Sequence, residues 1–181
     1  MRLASIKNHL RPYSIVQRRK TTINHAFASA LAPCDSFEMT RLAKAMKTLG
    51  QTNVDDLRCT YCGAEAQTWD HLVGLVKASQ LNGYGHQVGN LVPCCKPCNS
   101  KKGNQDWKAF IRKAIPDATR RTKLESRIKR YLAKYAKPVD LSAANRARPK
   151  DWRRYVEIRN SIFELMKEAD RLAEQLRLKV T

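Results

Sequence analysis

Apolar positions recur on a helical period along most of this chain and lose it in the middle. Residues 19–31 read as a helix that stops at Pro33. A second helix is signalled more fully. Asp35 stands where an N-cap would, Glu38 follows three residues later, Phe37, Leu42, Ala45, Met46 and Leu49 form an apolar series, and Gly50 falls at the C′ position. Residues 51–58 are a polar connector. Beyond Pro116, the apolar positions are Leu124, Ile128, Tyr131, Leu132 and Tyr135 in a helix over 116–137. They are Tyr155, Ile158, Ile162, Leu165, Ala169, Leu172 and Leu176 in another over 152–178. The last series keeps a 3-4 spacing, so it either packs on the chain's own helices or forms the seam of a homodimer.

Between these helical stretches the pattern is shorter and more irregular. Residues 69–73 (WDHLV) and 90–93 (NLVP) suit β-strands, the loop between them holds glycines at 74, 83, 85 and 89, and 99–115 reads as one helix ending before Pro116. The expected fold class is α+β. A small strand-loop-strand-helix module at 58–115 lies between a helical basic extension at 1–57 and a helical region at 116–181.

Charge narrows the partners. The 181 residues carry 35 Lys and Arg against 16 Asp and Glu, a formal +19, yet 43% are hydrophobic, which is a globular composition rather than a disordered basic tail. A chain this short excludes a multidomain enzyme, and its excess charge points to a polyanion, nucleic acid first. Residues 116–150 hold 11 basic and 3 acidic side chains, whereas 151–181 hold 7 and 6. The charge is concentrated just after the module, where Arg127 and Arg130, with Tyr131 and Tyr135 interleaved, suggest a surface that follows phosphates. No apolar run reaches about 18 residues, so no membrane partner is expected. The first 34 residues include Arg2, Lys7, Arg11, Arg18, Arg19 and Lys20 without an acid, a bias shared with mitochondrial presequences. A basic arm on a cytoplasmic, prokaryotic or phage-encoded nucleic-acid binder is the favoured reading.

Five of the six cysteines sit in two groups. Cys59-Thr-Tyr-Cys62 and Cys95-Lys-Pro-Cys98 are C-x-x-C knuckles 32 residues apart, the pattern of a four-thiolate structural zinc site. Cys95 completes the two-residue spacing, leaving Cys94 as a small buried hydrophobe. A closed site of this kind has no open coordination position, so any chemistry needs other residues.

Those residues carry a resemblance. C-x-x-C, then Trp69-Asp70-His71-Leu72-Val73, then Gly89-Asn90-Leu91-Val92-Pro93-Cys94-Cys95-x-x-Cys98-Asn99-Ser100-Lys101-Lys102-Gly103 resembles the HNH, or ββα-metal, nuclease family in its zinc-stapled form. The resemblance covers Cys59 to about Trp107. It implies a general base at His71, a catalytic Mg²⁺ or Mn²⁺ held by Asp70 and Asn99, and Asn90 orienting the histidine. Lys101 and Lys102 would contact DNA phosphates. Asn99 stands where other members carry a final histidine. Adjacent strand residues face opposite ways, so Asp70 and His71 share a site only if the strand bends or ends there. Trp69 and Trp107 read as module core, and His86 as a solvent-facing loop residue. The implied function is a metal-dependent DNA endonuclease of a restriction, phage-defence or mobile-element kind. The alternative is a zinc-stapled DNA-binding module without catalysis; an RNA-binding basic protein would explain the charge but not the Asp70, His71, Asn99 set.

Overall fold

The computed structural model describes residues 3–8, 10–77 and 80–178; Arg2 of the basic arm and His9 lie outside this set. Its elements run α1 (Ile15–Leu31), α2 (Met39–Leu49), β1 (Thr68–His71), β2 (Val76–Lys77), β3 (Gln80–Leu81), β4 (Leu91–Cys94), α3 (Lys96–Lys102), α4 (Trp107–Ala114), α5 (Ala118–Tyr135), α6 (Leu141–Ala147) and α7 (Pro149–Leu178). The chain forms two compact units, Ala28–Leu141 and Met1–Phe27 with Ser142–Thr181.

In the Ala28–Leu141 unit, β1 and β4 pair antiparallel, with Thr68 opposite Cys94, Asp70 opposite Val92 and His71 opposite Leu91. Helix α3 packs on β1, and α2 and α4 pack on α5. The core joins Ala45, Met46 and Leu49 of α2 to Leu72, Val92, Phe110 and Ile111, and to Leu124, Ile128, Tyr131 and Tyr135 of α5. Tyr131 and Tyr135 are therefore interior side chains, not stacking platforms on a nucleic-acid surface; their spacing places them on the apolar face of α5.

Local signals set most helix ends. Gly50 closes α2 in the left-handed region at φ 87°, donating its N–H to Lys47. The helix read over 99–115 is two helices. Gly103, also at positive φ, ends α3, and the Asp106 carboxylate opens α4 by accepting from the N–H groups of Lys108 and Ala109. Asp117 caps α5 in the same way. Asp35 does not cap α2, whose N-cap is Glu38, and Phe37 is 79% exposed instead of joining the apolar series. Asp35 is drawn away by tertiary partners: it accepts from Val88 N–H at 2.8 Å and pairs with Arg41 at 3.1 Å. The β2–β3 ladder has no counterpart in the strand pattern read from the sequence.

In the other unit, Asp170 of α7 accepts from Ser14 Oγ and from the N–H groups of Ile15 and Val16, which caps α1 and holds its carboxyl below the ordinary range. Tyr155 packs edge-on against Phe27 and donates to its carbonyl at 2.9 Å. Three of the seven residues of the α7 apolar stripe, Tyr155, Ile162 and Ala169, are partly covered within the unit, while Ile158, Leu165, Leu172 and Leu176 stay exposed. No helix among the described residues is long and apolar enough to cross a membrane.

Candidate functional site

Two tight turns build the sulfur centre. In the first, Gly63 at φ 83° donates to the Cys59 carbonyl, folding Cys59 and Cys62 together. The second is the first turn of α3, where Asn99 N–H donates to the Cys95 carbonyl and Pro97 suits a position whose N–H would have no helical partner. The Sγ atoms of Cys59, Cys62, Cys95 and Cys98 all lie within 4.8 Å of one another, and Cys62 and Cys95 are 3.7 Å apart. A tetrahedron of sulfurs at about 2.3 Å from zinc needs edges of about 3.8 Å, so the four cysteines fit that ion. Burial pushes the Cys62 and Cys98 thiols up, while Cys59 is pulled down to about 3, first by the Cys94 thiol beside it. Without a cation, four thiolates crowded together are unfavourable; a divalent ion removes that obstacle. Cys94 is fully buried next to Cys59 and outside the four-sulfur set.

The far end of β1 carries the other residues. His71 ends the strand, half-buried, and its Nε2 lies 3.1 Å from Nδ1 of His86, with the rings edge-on at 5.1 Å between centroids. Asn90 is completely buried. Its Oδ1 accepts from Val73 N–H at 2.8 Å, and its Nδ2 donates to the carbonyls of Val73 and Gly85, both at 3.0 Å. One amide therefore ties the segment after His71 to the segment before His86. Asn99, at the start of α3, donates weakly to the Trp69 carbonyl at 3.5 Å and so lies along β1.

Asp70 is separated from this group. It is 5% exposed, accepts from the Tyr61 hydroxyl at 2.6 Å and forms an ion pair with Lys102 Nζ at 3.1 Å. Lys102 is 2% exposed and also donates to the His71 carbonyl at 2.8 Å. Burial raises the Asp70 carboxyl above its ordinary value, although the Tyr61 hydroxyl and the Lys102 charge both act to lower it. Burial and the nearby Asp70 charge also push the Tyr61 phenol up, keeping it a donor.

These positions change three expectations. Lys102 is an interior partner of Asp70 and not a phosphate contact, because its charge is already desolvated and satisfied. Trp69 is 48% exposed, since on β1 it shares the face of His71 and not that of buried Asp70; Trp107 does lie in the core. Asp70 and Asn99 do not form an oxygen pair ready for a hard cation, because Tyr61 and Lys102 occupy the carboxylate. That half of the expected catalytic-ion site does not fit as the chain stands. Lys101 is exposed on α3, Arg130 is exposed on α5, and half-buried Arg127 packs beneath Gly50. His86, expected to face solvent, is half-buried against His71 instead. Its signal was the crowding of glycines 83, 85 and 89 around a lone histidine.

The arrangement defines a strand-loop-strand-helix module of the ββα kind with four cysteines placed to hold a metal ion. Residues 59–105, about a quarter of the chain, match the family model described as HNH endonuclease. The match supports a nuclease or DNA-binding function. No curated protein and no solved structure matches the chain.

Proposed function

We propose that the chain is a DNA endonuclease that hydrolyses a phosphodiester, with the four-cysteine zinc centre as scaffold and His71 as general base. The observation that carries this reading is the buried Asn90 amide at the end of β1, which ties the segment after His71 to the segment before His86 and so supports the placement of the base. A water oxygen bonds to phosphorus as His71 takes its proton, the bond from phosphorus to the 3′ oxygen breaks, and that oxygen leaves with a proton from solvent. An imidazole is the side chain suited to taking and giving a proton near neutral pH. The Asn90 amide holds the loops that place the base. Mg²⁺ or Mn²⁺ dependence is part of the proposal, in keeping with general use of a divalent ion by the HNH family; Asp70 could join such a site only on release from Lys102.

Binding is assigned to α5 as well as to Lys101. Arg120, Lys123, Arg127, Arg130 and Lys134 follow a 3-4-3-4 spacing, displaced from the apolar row of Leu124, Ile128, Tyr131 and Tyr135. They form one cationic stripe about 21 Å long at 1.5 Å per residue. One strand of B-DNA presents about six phosphates over that distance at 3.4 Å of rise each. At its start, Arg58, Arg120, Lys123 and Arg127 line a cleft of about 230 Å³. Contacts to backbone would position DNA, with sequence preference arising elsewhere.

Purified protein with Mg²⁺ or Mn²⁺ should nick or cut supercoiled plasmid, EDTA should stop it, and His71→Ala should abolish cleavage while retaining DNA binding. Cleavage unchanged by His71→Ala would sink the mechanism. The second reading, a zinc-stapled DNA-binding module without catalysis, is favoured by the occupied Asp70 carboxylate, and a wild-type chain that binds every DNA but cuts none would establish it.

A further inference from the structure

We propose that His86 is a positioning residue for His71: it accepts a hydrogen bond from His71 Nε2–H at its own Nδ1 and thereby commits His71 Nδ1 to the role of base. The polarity of the pair and its catalytic consequence rest on the nuclease reading above; the 3.1 Å approach of the rings does not. Two neutral imidazoles 3.1 Å apart share one proton between the facing nitrogens, so one ring donates and the other accepts. If His86 donated, His71 would carry its proton on Nδ1 and present no lone pair to water. Only the opposite polarity leaves His71 competent, and it places the His86 proton on Nε2.

The loop around His86 is built to hold that ring. On its N-terminal side, the Gly85 carbonyl accepts from Asn90, and a Cβ on Gly85 would run into Pro33. The His86 carbonyl accepts from Asp35 N–H at 3.3 Å, and the Asp35 carboxylate accepts from Val88 N–H on the C-terminal side. The Gln87 amide oxygen takes Lys137 N–H at 3.2 Å. Gly89, at φ 90°, lies against the Tyr135 and Ala136 backbone with no room for a side chain. Fastening on both sides removes the conformational freedom that a glycine-rich loop would otherwise have, and the side chain so immobilised reaches His71. The interaction of Asp35 with Val88 also accounts for the loss of its expected capping role.

The same 3.1 Å would suit two nitrogens bound to one ion, and the test separates the two cases. Long-range ¹H–¹⁵N correlation spectra of the zinc-loaded full chain, labelled at histidine, report each ring's tautomer without turnover. We expect His71 as the single Nε2–H tautomer in the wild type, a mixture in His86→Phe, and recovery in His86→Asn, whose Oδ1 stands near the lost Nδ1. In plasmid cleavage, His86→Phe should lower kcat about 10- to 100-fold with the DNA Kd within about twofold, and His86→Asn should regain most of the loss. Zinc content and melting temperature check that each variant is folded. A wild-type His71 that is Nδ1–H or mixed overturns the proposal, as does His86→Phe with wild-type kcat or His86→Asn no better than Phe. A raised Mn²⁺ requirement in His86→Phe with the His71 tautomer unchanged overturns it in favour of metal ligation. A wild type that cuts no DNA yet shows the single tautomer overturns the nuclease reading while supporting the pairing.

Discussion

The buried Asp70–Lys102 pair makes the most demanding prediction, because it separates a structural from a chemical use of Asp70. At 3.1 Å and an effective dielectric near 20, the Coulombic attraction is about 5 kcal/mol. Both side chains are almost fully desolvated, so removing one partner strands the other. Lys102→Met leaves a buried carboxylate and takes a hydrogen bond from the His71 carbonyl; Asp70→Asn leaves a buried ammonium. Each should cost about 3–5 kcal/mol at pH 7, a large share of the 5–15 kcal/mol that holds a domain together. The double variant Asp70→Asn with Lys102→Met removes both charges and should recover most of that loss, giving a coupling energy of several kcal/mol. Equilibrium urea unfolding of zinc-loaded protein, followed by circular dichroism, measures all four chains. Burial already raises the Asp70 carboxyl, so the folded state holds a proton there more tightly than the unfolded one. The Asp70 contribution is therefore most favourable below the ordinary carboxylate range and is lost as pH rises through the raised value. In Lys102→Met the shift grows, and the deficit against wild type should shrink as pH falls into the carboxylate range. Single variants within about 1 kcal/mol of wild type and an additive double variant would refute the reasoning. Plasmid cleavage by a stable double variant then decides the role of Asp70: retained cutting makes it structural, and lost cutting returns it to the catalytic ion.

Two other predictions concern the scaffold and the grip. Chelation of zinc, or Cys98→Ser, should unfold the module, with zinc stoichiometry falling from one per chain and circular dichroism falling with it; a chain that stays folded after losing its metal would show the sulfur cluster to be dispensable. Neutralising Arg127 and Arg130 together should lower the slope of log K for DNA against log salt by about 1.8, and an unaltered slope would return α5 to a solvated helix face.

What could be read from the sequence was local. The knuckles depend on spacings of three residues, and the C-terminal stop of α2 depends on one glycine that tolerates φ 87°. The break between α3 and α4 is also local, written as Gly103 followed by Asp106, a helix stop and a helix start that the reading of 99–115 as one helix passes over. Asp35 shows the opposite case. Its position signals a cap, yet Val88, 53 residues away, claims the carboxylate. Lys102 had the composition of a phosphate contact, and its true partner lies 32 residues earlier on the buried side of a strand. Strand alternation did state that Asp70 and His71 face apart; which face was interior depended on Tyr61 and Lys102, outside the strand. His86 was hidden because no periodicity connects a loop histidine to a strand end.

Helix α5 joins these non-local pieces. Its apolar row packs into the core, while the Tyr131 hydroxyl donates to the Leu91 carbonyl at 2.7 Å, and Leu91 stands opposite His71 in the β1–β4 ladder. Just past its C-terminal end, the Tyr135–Ala136 backbone abuts Gly89, and Lys137 N–H holds Gln87, next to His86. The helix that carries the cationic stripe is thus fastened directly to both histidine-bearing segments. On the nuclease reading, phosphates held along Arg120, Lys123, Arg127, Arg130 and Lys134 are held relative to the same rigid element that sets the histidine pair. Positioning of this kind contributes to rate only while the two are rigidly coupled. On that reading the basic excess after the module does more than attract polyanions, because the helix that bears it also fixes the geometry of the site.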